Sequence, residues 1–338
     1  MPALVLALLV GAWLLLGGAQ RQSGMQLEGM AGMASWHATI SDPPAGLDET
    51  ALSAGIAQAF FHSSKLIATW DKGSEISNFN AHQGEDWFPV SAELAKLVTS
   101  TLQFSQQSNG VYDVTIRPLI TLWGFGSAVD KKGVVPDQAA IDAARAKVGY
   151  QKLQVRLDPP ALRKTQPDLL VELASVADGF AADQAGQYLE SLGVHNYMVE
   201  IAGEIRTRGL SPRGDAWQIA IEKPQDNGLA IQKGVRLENA GLATSGDYHN
   251  FFTKDGKRYS HTIDPATGYP VEHKLASVSV LAAETTMADG YATLLMALGE
   301  DKGKVFAEQH GLAAFFIWRS GGSFATYATP AFQKVLMD

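Results

Sequence analysis

Residues 242–271 read LATSGDYHNFFTKDGKRYSHTIDPATGYPV, and the way this stretch doubles back decides what kind of sheet the chain can build. Asp255-Gly256 is a two-residue turn signal, and the segments on either side, 248–253 and 257–263, are rich in aromatic, Thr and Ile residues. That combination predicts a β-hairpin with its tip at Asp255-Gly256. The same stretch holds one imidazole, His261, two carboxylates, Asp247 and Asp264, and several hydroxyls between Gly and Pro turns. A hairpin needs less polar equipment than this, so the chemistry of the chain is expected here. His261 falls at the end of the second strand, before the Asp264-Pro265 turn, where a side chain can face a ligand. A hydrogen-bonded structural histidine beside a turn-forming Asp264 fits the local sequence as well.

Outward from the hairpin, strands are expected at 276–282, 313–318 and 323–327, with helices at 286–298 and 303–310. Upstream, strands are expected at 197–207, 217–222 and 235–239. The small-residue segment 172–179 leads into a helix that carries Phe180, Ala181, Ala185, Tyr188, Leu189 and Leu192 and is closed by Gly193. A turn of that kind presents free backbone N–H groups, a setting that favours phosphate. Helical periodicity also marks 47–67, 137–147 and a helix capped by Ser91 that runs to about Gln107. Further strands are expected at 33–41 and 153–157, the latter followed by a Pro-broken loop. Segment 24–32 reads as a linker, 74–80 (SEISNFN) as a polar loop, and 111–126 as a packed loop lining a pocket. Hairpin-linked strands interleaved with helices, with few regular βαβ units, define an α+β fold with mixed or antiparallel sheets.

The 338 residues are 46% hydrophobic and 18% charged, an ordinary globular balance. A formal net charge of −8 without a run of Lys or Arg excludes a nucleic-acid groove and a basic membrane-surface patch. With no cysteine, disulfides, thiolate catalysis and Cys-ligated metal centres are excluded, while oxygen-ligated hard cations remain open. Residues 3–18 are uninterruptedly apolar or small and end at the polar segment 20–24, the length of a secretory core rather than of a spanning helix. Leu16-Gly17-Gly18-Ala19 has the form of a lipidation box in which Ala19 replaces the acceptor Cys, so no thioether lipid can form on it. The expectation is a signal or anchor segment with its linker over 1–24 and one catalytic domain over 25–338.

Asp289 and Thr293 lie four apart on the expected 286–298 helix, so their oxygens share one face. A carboxylate and a hydroxyl, completed by a backbone carbonyl, water and substrate oxygens, suit Mg²⁺. A solvated Asp beside a buried Thr has the same spacing. His37, His62, His82, His195, His249, His273 and His310 show no paired ligand spacing, and neither a Walker loop nor a Gly-x-Gly-x-x-Gly pattern is present.

Five motifs occur in register: SEISNFN (74–80), VYDVTIRPLITLWGFG (111–126), VELASVADGFAAD (171–183), the 243–271 segment and ADGYAT (288–293). From about Met33 to the C-terminus the chain thereby resembles the ApbE-type FAD:protein FMN transferases. That resemblance implies an ApbE-like α+β enzyme that binds FAD and Mg²⁺ and attaches FMN through a phosphoester to a Thr of an acceptor protein, releasing AMP. It also implies a periplasmic location, with attachment to the inner membrane only through the N-terminal segment.

On the matching positions the resemblance implies FAD contacts at Met33, Trp70, Val111, Tyr112, Asp113, Ala174, Phe180 and Ile263. It implies metal ligation by the Ala177 carbonyl, Asp289 and Thr293, and catalytic roles for His261 and Asp289. Two departures stand out. Asp178 occupies a position where a lysine is common, and Ala292 one where some members carry a second carboxylate. Asp264 is expected to shape its turn. The same site with water as acceptor would be an FAD pyrophosphatase, and without turnover an exported flavin-binding protein. No segment of the kind the family flavinylates is found, so self-modification is not expected.

Overall fold

The computed structural model describes residues 24–32, 34–126, 133–224, 230–247 and 250–337. The expected leader, the Met33 contact and the first residues of the hairpin arm, Tyr248 and His249, lie outside these. The first half of the chain forms β1 (Met25–Ala31), β2 (Ala34–Ile40), α1 (Glu49–Ile67), α2 (Glu75–Ala81), β3 (Phe88–Pro89) and α3 (Ala92–Gln107). It continues with α4 (Arg117–Leu122), α5 (Gln138–Arg145), β4 (Leu153–Leu157), β5 (Pro160–Lys164), α6 (Ala177–Ser191), β6 (Tyr197–Ile201) and β7 (Glu204–Arg208). The second half forms β8 (Trp217–Glu222), β9 (Ile231–Leu237), β10 (Gly241–Gly246), β11 (Phe251–Lys254), β12 (Lys257–Ser260) and β13 (Leu275–Ala282). Helix α7 (Thr285–Gln309), strands β14 (Ala313–Ser320) and β15 (Ser323–Ala328) and helix α8 (Pro330–Gln333) close the chain.

Eight strands build the main sheet in the order β1-β2-β6-β7-β10-β13-β14-β15, and every neighbouring pair is antiparallel. This is the α+β architecture expected from the hairpin signals. Both faces of the sheet are covered, which the two-residue alternation makes visible. Along β14, Ala314 and Phe316 join the core under α7, while Phe315 and Ile317 join a second core with Trp217, Val235 and Phe332. Along β10, Ala243 belongs to the first core and Leu242 to the second. Helices α1, α6 and α7 therefore cover one face, and the β8–β9 ribbon with α8 covers the other. Helix α3 and the small β3-β5-β4 sheet add a further layer beside the first core.

Several expected elements take a different form. Segment 24–32 is an edge strand, not a linker: β1 pairs with β2 from Met25↔Ile40 to Ala31↔Ala34, burying Leu27 and Ala31. Segment 74–80 is a capped helix, not a loop. The Ser74 hydroxyl accepts from Ser77 N at 3.1 Å, and Ile76 and Phe79, one helical turn apart, are fully buried. That i,i+3 apolar pair inside an otherwise polar segment was the available signal. Its flanks fix neighbours: Glu75 accepts from Ser91 N at 2.8 Å, and the Asn80 amide exchanges hydrogen bonds of 2.9 and 2.7 Å with the backbone of Val171.

The single strand expected at 197–207 is the β6–β7 hairpin, turning at Ala202 (φ 54°) and Gly203 (φ 104°). The Pro-broken loop after 157 contains β5, and the 111–126 loop contains α4. Helices 286–298 and 303–310 are one helix, α7, broken at Gly299 (φ 76°). The break orphans helical carbonyls, and the imidazole Nε2 of His273 meets the Met296 carbonyl at 2.6 Å. Among the described residues no helix is long and apolar enough to cross a membrane.

Candidate functional site

The opening stretch begins as β10, in the middle of the main sheet between β7 and β13. Its odd-numbered side chains face α7, which brings the Ser245 hydroxyl to 3.4 Å from Thr293 Oγ1. One helical turn before Thr293, Asp289 is 7% exposed and its Oδ2 accepts from Gly179 N at 3.1 Å. Gly179 sits in the first turn of α6, directly after Ala177. The expected ligands therefore come from two packed helices, Ala177 from the start of α6 and Asp289 and Thr293 from the second and third turns of α7.

Two further carboxylates face Asp289. Glu204 on β7 is 8% exposed and accepts from Thr244 N at 3.2 Å, and Asp178 lies beside Ala177 at the start of α6. Burial first, then the charges of Asp289 and Asp178, push the Glu204 carboxyl well above its usual range, partly offset by the Thr244 N–H. Burial, then the Asp178 charge, pushes Asp289 up likewise, against the Gly179 N–H. Burial raises Asp178 to about 6. Among the described residues no Lys, Arg or His lies within salt-bridge distance of any of the three. The nearby Arg206 is spent on Asp183 and Glu190.

Buried carboxylates that repel one another without a cationic side chain fit a bound cation, and an oxygen-only donor set fits a hard one. Among the described residues no three acidic or histidine side chains converge in metal geometry. The donors at hand are one carboxylate, one hydroxyl and a backbone carbonyl, a sparse set that leaves positions for water and phosphate.

These shifts set a sign for pH dependence. A carboxyl whose folded pKa is raised contributes stability below its unfolded value, and that stability is lost as pH rises through the folded value. In EDTA the melting temperature should therefore fall between about pH 4 and pH 7, with Asp178 alone accounting for at most about 3 kcal/mol. A melting temperature that instead rose steadily over that interval would contradict the arrangement.

Gly179 sets how closely α6 and α7 approach. A Cβ there would stand 2.6 Å from the Thr285 carbonyl oxygen and 2.8 Å from Asp289 Cβ. Gly179→Ala should cost about 1–3 kcal/mol net in urea unfolding, because the clash with backbone outweighs the roughly 1 kcal/mol by which Ala favours a helix.

Beyond Gly246 the chain leaves the sheet for the expected hairpin, β11–β12, which pairs Phe251↔Ser260 through Lys254↔Lys257. Asp247 anchors its root. The carboxylate accepts two hydrogen bonds of 2.8 Å from Arg319 and one of 3.0 Å from Arg258, and its carbonyl accepts a further one from Arg258. Aromatic contacts hold the rest: Trp123 against Tyr259, Tyr259 against Phe252, Phe252 against Phe125, and Phe125 against His261. His261 Nδ1 lies 3.0 Å from the Asn250 carbonyl. A carbonyl only accepts, so Nδ1 carries the proton of this bond, and in the neutral ring Nε2 is the acceptor nitrogen. Ile263 is buried in the same cluster and bridges to Pro270, while Asp264 closes the turn by accepting from Ala266 N at 2.8 Å.

The other expected contact residues divide by exposure. Trp70 is 67% exposed, and the loop bearing it is held by Glu172, which accepts from Thr69 Oγ1 at 3.0 Å and from Arg117 at 3.1 Å. Ala174 is exposed and Val111 partly so. Tyr112 is buried, with its hydroxyl 2.6 Å from Ser175 Oγ, and burial raises its pKa above the usual tyrosine range. The Asp113 carboxylate is committed within the protein, to Thr115 at 2.6 and 2.8 Å and to Tyr150 N at 2.9 Å. Phe180 is buried in the first core.

Sequence reasoning missed Glu204, Asp183 and Gly179, and read Asp178 only as a lost lysine. For Glu204 a signal existed: it alternates with Arg206 and Arg208 along a strand whose opposite positions are Ile205, packed on the second core, and buried Thr207.

An antiparallel α+β fold in which Asp289, Glu204 and Asp178 gather where α6, α7 and β7 meet, in a chain that also carries a histidine-bearing hairpin, is an architecture suited to group transfer. Residues 33–316 match the ApbE family. The chain is 41% identical over 276 residues to a FAD:protein FMN transferase of Salmonella typhimurium, covering 81% of this chain and 78% of that protein. It is similar to the flavin transferase ApbE from Vibrio cholerae, with a TM-score of 0.83 and 35% identity over 93% of this chain and 100% of that one. The apo form of the Pseudomonas stutzeri flavinyl transferase ApbE gives a TM-score of 0.84 and 38% identity over 92% and 96%. The chain belongs to the ApbE family and is a transferase.

Proposed function

We propose that this protein is a Mg²⁺-dependent FAD:protein FMN transferase that cleaves FAD, joins FMN to a Thr hydroxyl of an acceptor protein and releases AMP. The observation that carries this reading is the cluster of repelling carboxylates where α6, α7 and β7 meet, Asp289 and Glu204 buried and Asp178 half-buried, in a chain spanning most of the length of relatives named for that activity. Phosphoryl transfer asks little covalent work of a protein and much charge neutralisation and positioning. Asp289, Thr293 and the Ala177 carbonyl would hold Mg²⁺, which when bound supplies neutralisation of the pyrophosphate charge in an otherwise acidic pocket.

The protein's own groups do the rest. The Gly179 N–H holds the Asp289 carboxylate in one orientation. His261 accepts the proton of the attacking hydroxyl on Nε2, and the Asn250 carbonyl, which accepts from Nδ1–H, stabilises the imidazolium that forms. Exposed Trp70 offers an aromatic face to the flavin. The apolar run 3–18 supports export, with the domain held at the periplasmic side of the inner membrane by that segment alone.

The test is to incubate the protein with FAD, Mg²⁺ and a Thr-bearing acceptor domain and to weigh the acceptor by mass spectrometry. An added FMN mass with stoichiometric AMP is expected. FMN and AMP with an unmodified acceptor would make the protein a pyrophosphatase, and intact FAD would make it a binding protein.

A further inference from the structure

Neither α6 nor α7 caps its own N-terminus: the side chains of Val176 and Glu284 make no hydrogen bond to the N–H groups that follow them. Each helix is capped by a carboxylate from the other. Asp289 of α7 accepts from Gly179 N of α6 at 3.1 Å. In return Asp183 of α6, 4% exposed, accepts from Thr285 N at 2.9 Å, Thr286 N at 2.8 Å and Thr286 Oγ1 at 2.6 Å. Gly179 and Asp183 are four residues apart, as are Thr285 and Asp289, so both exchanges lie on one face of each helix. Two reciprocal caps fix the slide of one helix along the other, which a single cap could not.

We propose that Asp183 is a positioning residue for cation binding, setting the separation between the Asp289 carboxylate on α7 and the Ala177 carbonyl on α6. This rests on the cation site proposed above. Asp183 is itself held from behind: Arg206 donates to its Oδ1 at 2.7 Å and is braced by Tyr197 Oη at 3.0 Å and by Glu190. Every contact of the Asp183 carboxylate is with a donor. An Asn at this position must turn an NH₂ group toward either the Thr285 and Arg206 donors or the Thr286 donors, so one side of the cap is lost whichever way the amide points. The first turn of α7 then loses its register against α6, and Asp289 moves with it.

The experiment is a Mn²⁺ titration of the purified protein, reading free Mn²⁺ by electron paramagnetic resonance without FAD. Wild-type protein should bind Mn²⁺ and Asp289→Asn should not, which tests the cation site itself. Asp183→Asn should raise the Mn²⁺ dissociation constant about 10–100-fold, the range found for groups that orient metal ligands. Thr286→Val, which removes one hydroxyl donor at matched shape, should raise it severalfold. At saturating Mn²⁺ the transfer rate of both should return to near the wild-type value, because no reacting atom is touched. Should Asp183→Asn fail to fold, Thr286→Val decides. Lower melting temperatures with unchanged Mn²⁺ affinity would show that Asp183 serves the fold alone and overturn the proposal. Absence of Mn²⁺ binding in the wild type would overturn the cation site and this inference with it.

Discussion

Asp289→Asn is expected to lower flavin transfer about a thousandfold or more while leaving the protein folded. The amide oxygen of Asn can still accept the Gly179 N–H, so the cap on α6 survives, and the substitution also removes one of three repelling carboxyls from a buried site. What is lost is the negative charge that would hold a divalent cation. Charge stabilisation of this kind is worth several kcal/mol of barrier, and each 1.36 kcal/mol is tenfold in rate. Melting temperature in EDTA and transfer rate at high Mg²⁺, measured on the same preparation, separate the two effects. A variant that transfers at the wild-type rate would remove Asp289 from the mechanism.

His261→Ala is expected to lower transfer by about 10²–10⁴-fold, the usual worth of a positioned acid or base. FAD affinity should be nearly unchanged, since in the proposed mechanism the imidazole acts on the acceptor hydroxyl and not on the flavin. The hairpin should persist, because its strands are held by their own pairing and by the aromatic contacts from Trp123 to Phe125. The informative readout is the rate of acceptor modification under single-turnover conditions beside FAD binding by fluorescence. If His261→Ala lost FAD binding and transfer together, the histidine would be a wall of the substrate pocket instead.

Much of the fold was legible wherever a segment's pattern is local. Ser91 and Gly193 mark helix ends, the 47–67 helix shows its buried stripe, and Asp255-Gly256 gives the hairpin. The misread segments are those whose structure depends on distant partners. β1 is a strand because β2 pairs with it, and α2 is a helix because Ile76 and Phe79 reach a core built elsewhere. The site divides in the same way. Asp289 and Thr293 could be paired from sequence because one helix carries both. Glu204 and Asp183 reach them from a strand and a second helix, and no spacing along the chain encodes that convergence.

Among the described residues the hairpin that leads to His261 belongs to no larger sheet: β11 and β12 pair with each other, and Asp247 ties the root to two arginines. Apart from its aromatic contacts with Trp123 and Phe125 the ribbon has its own pairing to rely on, and two-stranded ribbons are marginal in water, so its local opening should need less free energy than unfolding of β10, from which it springs. In native-state hydrogen exchange its amides should exchange ahead of those in β10 and β13. On the proposed mechanism, the proton acceptor then sits on a ribbon that can open locally, and the carboxylate for the cation sits on a helix packed over the main sheet. For the proposed transfer, this division would let the ribbon yield to an approaching acceptor while the α6–α7 pair stays in place.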